Sequence, residues 1–167
     1  MAKKKYLGHD ELGISFAEWG GLWGFKAIAE AGVVLKPVPS KYAGPERRLL
    51  DKYPGAHFFD MGHSCTVQEC GSVACIGGTV GLFCNMPDPA KYVMAIDHAG
   101  GVLKPLYFPQ WNNGETVYLA AGAPGAPAGS YGWRSITPKM AAAAVDNFLR
   151  TGKPNWDKVI PKRMRAK

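Results

Sequence analysis

The residues best suited to chemistry lie together. Cys65, Cys70, Cys75 and Cys84 fall within one twenty-residue stretch, spaced C-x4-C-x4-C-x8-C, and His63 stands two positions ahead of the first. Zinc sites take four Cys or His ligands, commonly with two to four residues between paired ligands. His63, Cys65, Cys70 and Cys75 could supply such a set, although apolar neighbours at Cys75 suit a thiolate poorly. A disulfide within Cys65, Cys70 and Cys75 could instead close a small loop. A nucleophilic Cys75 near a helix start would have a stabilised thiolate, with His98 and Asn112 or Asn113 following in chain order. Against that, His98 lies only 23 residues on, and no aromatic follows the cysteine as it does in papain-like hydrolases. The remaining reading is that the cysteines are small residues filling a core, since free cysteine is among the most buried types.

Other reactive patterns are weaker. His9 and His57 stand alone. GHSC lacks the second glycine of a nucleophile elbow, and GGTVG lacks the lysine and spacing of a phosphate loop. No residue is assigned a catalytic role.

The elements that would position the cysteines follow from the surrounding pattern. Residues 72–84 read as a buried helix, with Ser72 as its N-cap. Gly77, Gly81 and Cys84 form a small face that permits close backbone approach. Residues 10–31 read as an interrupted helix capped by Asp10 and broken or kinked at Gly20-Gly21, because each interior glycine costs about 1 kcal/mol. Residues 33–45 are Pro-rich and extended, and 45–53 suggest a short helix that starts at proline. PGAHFFDM should turn Phe58, Phe59 and Met61 inward. Residues 90–99 suggest another helix, 100–111 an irregular segment or edge strand, 115–122 a strand and 122–132 a small-residue loop. The clearest helix comes last: Thr137 caps it, Pro138 opens it and Gly152 ends it.

Composition bounds the class. A chain of 167 residues suits one domain, and 21 glycines and 13 prolines favour short elements joined by turns. The net charge of +7 has an uneven source. Lys3 to Lys5, and the five cations from Lys158 on, put about +8 on the two ends and leave the body near −1. The ends could serve as solubilising tails or grip an acidic partner or polyanion. The longest apolar run, Val73–Cys84, is too short for a span of about 20 residues. With no h-region after Lys3–Lys5, synthesis in the cytoplasm and reduced thiols are expected.

Four motifs in order, FDM (59–61), CGSVACIGG (70–78), LYFPQW (106–111) and ITPKMAAAAVDNFLRTG (136–152), resemble a group of small uncharacterised proteins of bacterial and bacteriophage genomes. The resemblance spans roughly residues 54–156. The chain departs from the pattern with Ser72 where threonine is usual, and it lacks a tryptophan that often follows the second glycine region. The resemblance implies a small, mainly helical domain and a phage or mobile-element setting. It carries no catalytic role.

The expectations are these. The fold is mainly α, with α+β as the alternative: a small single domain of short helices, a minor sheet or hairpin and long Gly/Pro-rich loops. Residues 1–45 form an N-terminal arm with a Trp-rich helix and linker, 46–156 the globular core and 157–167 a basic tail. The function is that of a non-catalytic structural or interaction protein, encoded by a phage and incorporated into a virion or its assembly. The alternative is a zinc- or thiol-dependent regulator or enzyme built on residues 63–84. No cofactor is expected under the first reading, and zinc is possible under the second. A protein partner or second copy would meet Trp19, Trp23 and Phe25, because tryptophan is enriched at interface anchors. Lys162, Arg163 and Arg165 would contact a protein, a nucleic acid or another polyanion.

Overall fold

The computed structural model describes residues 5–32, 35–37, 56–61, 65–68, 71–110, 113–117 and 133–165. The helix expected over 45–53 and the loop expected over 122–132 lie outside them. The described elements are mainly helical: α1 (His9–Leu12), α2 (Phe16–Ala31), α3 (Ile76–Phe83), α4 (Pro89–Ala99), α5 (Lys104–Tyr107), α6 (Pro138–Thr151) and α7 (Trp156–Val159). Short strands β1 (Leu35–Pro37), β2 (Ala56–Phe59), β3 (Cys65–Gln68) and β4 (Gly71–Ala74) make one sheet in the order β1-β2-β4-β3. β1, β2 and β4 run parallel, and β3 joins the edge antiparallel, with Cys65 opposite Ala74.

The first helical break is at Gly13, not at Gly20-Gly21. Gly8, not Asp10, is the N-cap of α1, and Gly13 ends it with φ 67°. Ser15 then caps α2: its hydroxyl accepts from the Glu18 amide while Glu18 reaches back to the Ser15 amide. α2 runs unbroken through both glycines because one of them serves packing. A Cβ on Gly21 would stand 2.8 Å from Val80 Cγ1, so the glycine lets α3 approach closely. Leu22, Phe25 and Ala29 continue that buried face. Residues 16–31 are therefore part of the core rather than a free arm.

The buried helix also starts later than its sequence suggests. Residues 71–74 are strand, hydrogen-bonded to β2 on one side and β3 on the other, which withdraws Ser72 from a capping role. Cys75 is the cap. The face expected to be small does admit close neighbours. A Cβ on Gly77 would meet Tyr107 and Val93, and one on Gly81 would meet Pro89 and Tyr92, while Cys84 turns toward Gly21 instead.

Phe58, Phe59 and Met61 point inward as expected, with Phe59 packed on Phe25 at 5.8 Å. α4 matches the helix expected over 90–99, and α6 has the expected Thr137 cap, Pro138 start and Gly152 stop. The segment expected to be irregular or a strand instead holds α5, with Pro105 in its first turn where its missing N–H costs nothing. Around Thr116 the described structure is a single bridge to Gln110. Residues 157–165 do not hang free: Trp156 and Ile160 are buried, and the Trp156 indole donates to the Pro105 carbonyl at 2.8 Å.

Candidate functional site

The cysteine region is the first place to look for chemistry. Cys75 sits where β4 gives way to α3, and its sulfur accepts a hydrogen bond from the Gly78 amide at 3.4 Å. Thr79 Oγ1 donates to the Cys75 carbonyl at 2.8 Å. The thiol thus satisfies one of the orphan amides at a helix start. Burial pushes its pKa up to about 11, and the nearby Asp60 charge adds to the rise against the opposing amides. A thiol in that state is neutral at physiological pH and a poor nucleophile. Cys84 is half-buried, and its pKa is also raised, first by burial and then by Glu18. His63 and Cys70 lie outside the described residues, and Cys65 is described only as backbone in β3. Among the described residues, no three His, Cys, Asp or Glu side chains gather as a metal group.

The second place is the surface of α2. Its sequence puts Phe16, Trp19 and Trp23 at three- and four-residue spacing, so they are helical neighbours. The structure extends them into a ladder. His9 meets Phe16 edge-on at 5.6 Å, Phe16 stacks on Trp19 at 6.0 Å, Trp19 meets Trp23 at 5.9 Å and Trp23 meets Tyr6 at 4.6 Å. The Tyr6 end is tied down. Its hydroxyl donates to Asp146 at 2.7 Å and accepts from Arg150, whose guanidinium also lies 3.9 Å from the Tyr6 ring centre. Burial works to raise the Asp146 carboxyl, but hydrogen bonds from Arg150 and Tyr6, with the Arg150 and Lys26 charges, outweigh it and hold it below the usual range.

The aromatic residues named from sequence divide by role. Phe25 is fully buried, so it belongs to the core and offers a partner no surface. Trp19 is half-buried and its indole donates to the Leu7 carbonyl at 3.1 Å, which fastens the N-terminal segment to α2. Trp23 is half-buried, with an indole N–H that has no hydrogen-bond partner among the described residues. Phe16, between His9 and Trp19 in the ladder, is its most exposed member, at 68%. Four residues on, Gly20 opens onto empty space. Four further, Gly24 is covered by the ring of Phe83, itself 48% exposed. Along this one row of α2, the backbone positions that carry or lie under the two rings are about 12 Å apart, at 1.5 Å per residue, with the bare notch at Gly20 between them. Phe83 was legible only as core, since nothing in its own segment says that Gly24 will stand beneath it.

The third place is the C-terminal segment. Lys162 and Arg163 are exposed. Arg165 is not: its guanidinium donates to the carbonyls of Asp157 and Ile160 and folds the segment back on itself. Among the described residues no helix is long and apolar enough to cross a membrane. No family model, curated protein or solved structure matches this chain.

Proposed function

We propose that this chain is a non-catalytic structural protein that works by association, as a component of a larger assembly such as a phage particle. The observation that carries the reading is the Phe16–Gly20–Phe83 row, which leaves two large aromatic side chains substantially in water on either side of an open notch. Scattered exposed apolar residues need no explanation, but a knob, a hole and a second knob in register form a surface with shape.

The occupant favoured by that shape is a second copy of the chain. In a two-fold pair the same patch serves both sides. Phe16 of each copy can then enter the Gly20 notch of the other, so each copy presents both knob and hole. Burying a phenylalanine that is otherwise exposed is worth roughly 1.5–3 kcal/mol. Cys75 supports the non-catalytic half of the reading, because its thiol is neutral and engaged as a helix cap.

Sedimentation of the full chain over a wide concentration range tests the reading. A concentration-dependent dimer that Phe16→Asp returns to monomer supports it. A monomer throughout, or association indifferent to Phe16→Asp, removes it.

A further inference from the structure

The cations of this chain fall into two groups. In the body, Lys26, Lys91, Lys104 and Arg150 each have a carboxylate within reach, Glu30 at 2.9 Å, Asp88 at 3.4 Å, Asp97 at 3.0 Å and Asp146 at 2.8 Å, while Lys5, Lys139 and Lys153 are exposed and scattered over separate elements. In the segment 157–165, Lys158, Lys162 and Arg163 are exposed, and their side chains make no ion pair or hydrogen bond among the described residues. Asp157 is the one acid there, and it is half-buried.

The segment is also held in shape. Arg165 donates to the carbonyls of Asp157 and Ile160, and Trp156 and Ile160 anchor the segment in the core. Three cations without an ion pair among the described residues thus sit on one closed loop whose backbone is held in place. Lys104, beside the Pro105 carbonyl that receives the Trp156 indole, is a neighbouring charge and is paired with Asp97, and Lys153 stands exposed four residues before the segment.

We propose that the loop 157–165 is a contact surface for the phosphodiester backbone of nucleic acid. Two observations favour phosphate over an acidic protein. Protein interfaces have an apolar centre, yet among the described residues the exposed large apolar side chains, Phe16, Phe83, Met94 and Val102, all lie elsewhere, and Val159 and Met164 are packed against the core. What this loop offers is charge on a fixed frame. That suits a regular array of phosphates read without sequence preference.

The inference stands apart from the reading of the α2 face and can fail without it. The test is fluorescence anisotropy of a short labelled mixed-sequence DNA duplex with the full chain at several salt concentrations. It compares wild type, Lys158→Ala/Lys162→Ala/Arg163→Ala and, as a control for the other basic end, Lys3→Ala/Lys4→Ala/Lys5→Ala. Three phosphate contacts change the slope of log K against log salt by about 2.7, which is about a 40-fold change in affinity between 50 and 200 mM salt. The loop variant should show a slope shallower by about that amount, with an unchanged melting curve. Lys162→Gln/Arg163→Gln should show about two thirds of the effect. An unchanged slope in both loop variants overturns the proposal. So does a loss carried wholly by Lys3–Lys5, or an acidic peptide of equal charge that competes as well as the duplex.

Discussion

The ring of Tyr107 lies against Gly77: a Cβ there would stand 2.6 Å from Tyr107 Cδ2 and 2.9 Å from Val93 Cγ2. α3 can touch α4 and α5 this closely because the glycine has no side chain. Gly77→Ala should therefore lower stability. Overpacking costs about 1–3 kcal/mol, and better helix propensity returns only about 1 kcal/mol. Gly20→Ala, on the open face of α2, meets nothing and should raise stability by about 0.5–1 kcal/mol. Urea unfolding of the two variants should shift the midpoint in opposite directions.

A hydrogen-bonded chain runs from the surface into the core beside that contact. Glu18 Oε1 accepts from the Tyr92 hydroxyl at 2.9 Å, and the Tyr92 and Tyr107 hydroxyls lie 3.1 Å apart. Among the described residues, the buried Tyr107 hydroxyl has this one partner, whereas that of Tyr92 has two. Tyr92→Phe should therefore cost about 1–3 kcal/mol, because it strands a buried hydroxyl. Tyr107→Phe should cost less, and Tyr92→Phe/Tyr107→Phe less than the sum of the singles. Equal and additive losses would show that the hydroxyls act independently.

The Cys75 thiol makes stability fall in alkali. Burial raises its pKa to about 11, above the usual thiol value near 8.5. Between these values the unfolded chain has released the proton and the folded chain still holds it, so stability falls as pH rises. The stabilisation is complete below about pH 8.5 and is lost through about pH 11. The total is roughly 3 kcal/mol. Tyr92 and Tyr107, raised chiefly by burial, extend the loss at the upper end. Cys75→Ser keeps an N-capping oxygen and removes this thiol. Its unfolding free energy should decline less between pH 8 and 10 than that of wild type. Identical pH profiles would mean that the Cys75 thiol titrates as it does in the unfolded chain.

What could be read from the sequence was what local rules control. α6 announced itself, because Thr137, Pro138 and Gly152 each satisfy a terminus without help from the rest of the fold. The inward turn of Phe58, Phe59 and Met61 followed from apolar mass alone. The start of α3 was hidden because Ser72 is the better cap in isolation, and only pairing of 71–74 with strands on both sides moves the cap to Cys75. Those strands are four residues or fewer, too short to show an alternating pattern of their own. Gly20 and Gly21 looked alike as helix breakers, yet one packs on Val80 and the other faces open space, a difference set entirely by α3. The surface row suffered the same way. Trp19 and Trp23 drew notice as large aromatics, but one holds down Leu7 and both lean on Tyr6, directly or through each other. The outward positions fell to Phe16 and to Phe83, from a helix 67 residues further on.

The central claim is that the Phe16–Gly20–Phe83 row is where this chain meets its own copy. Sedimentation equilibrium of wild type beside Phe16→Asp and Phe83→Ser tests it most directly, with thermal melting to confirm that each variant is folded. The account predicts a wild-type dimer whose population grows with concentration and two folded variants that remain monomeric at the same concentrations. A wild-type monomer throughout, or variants that dimerise as wild type does, would contradict it.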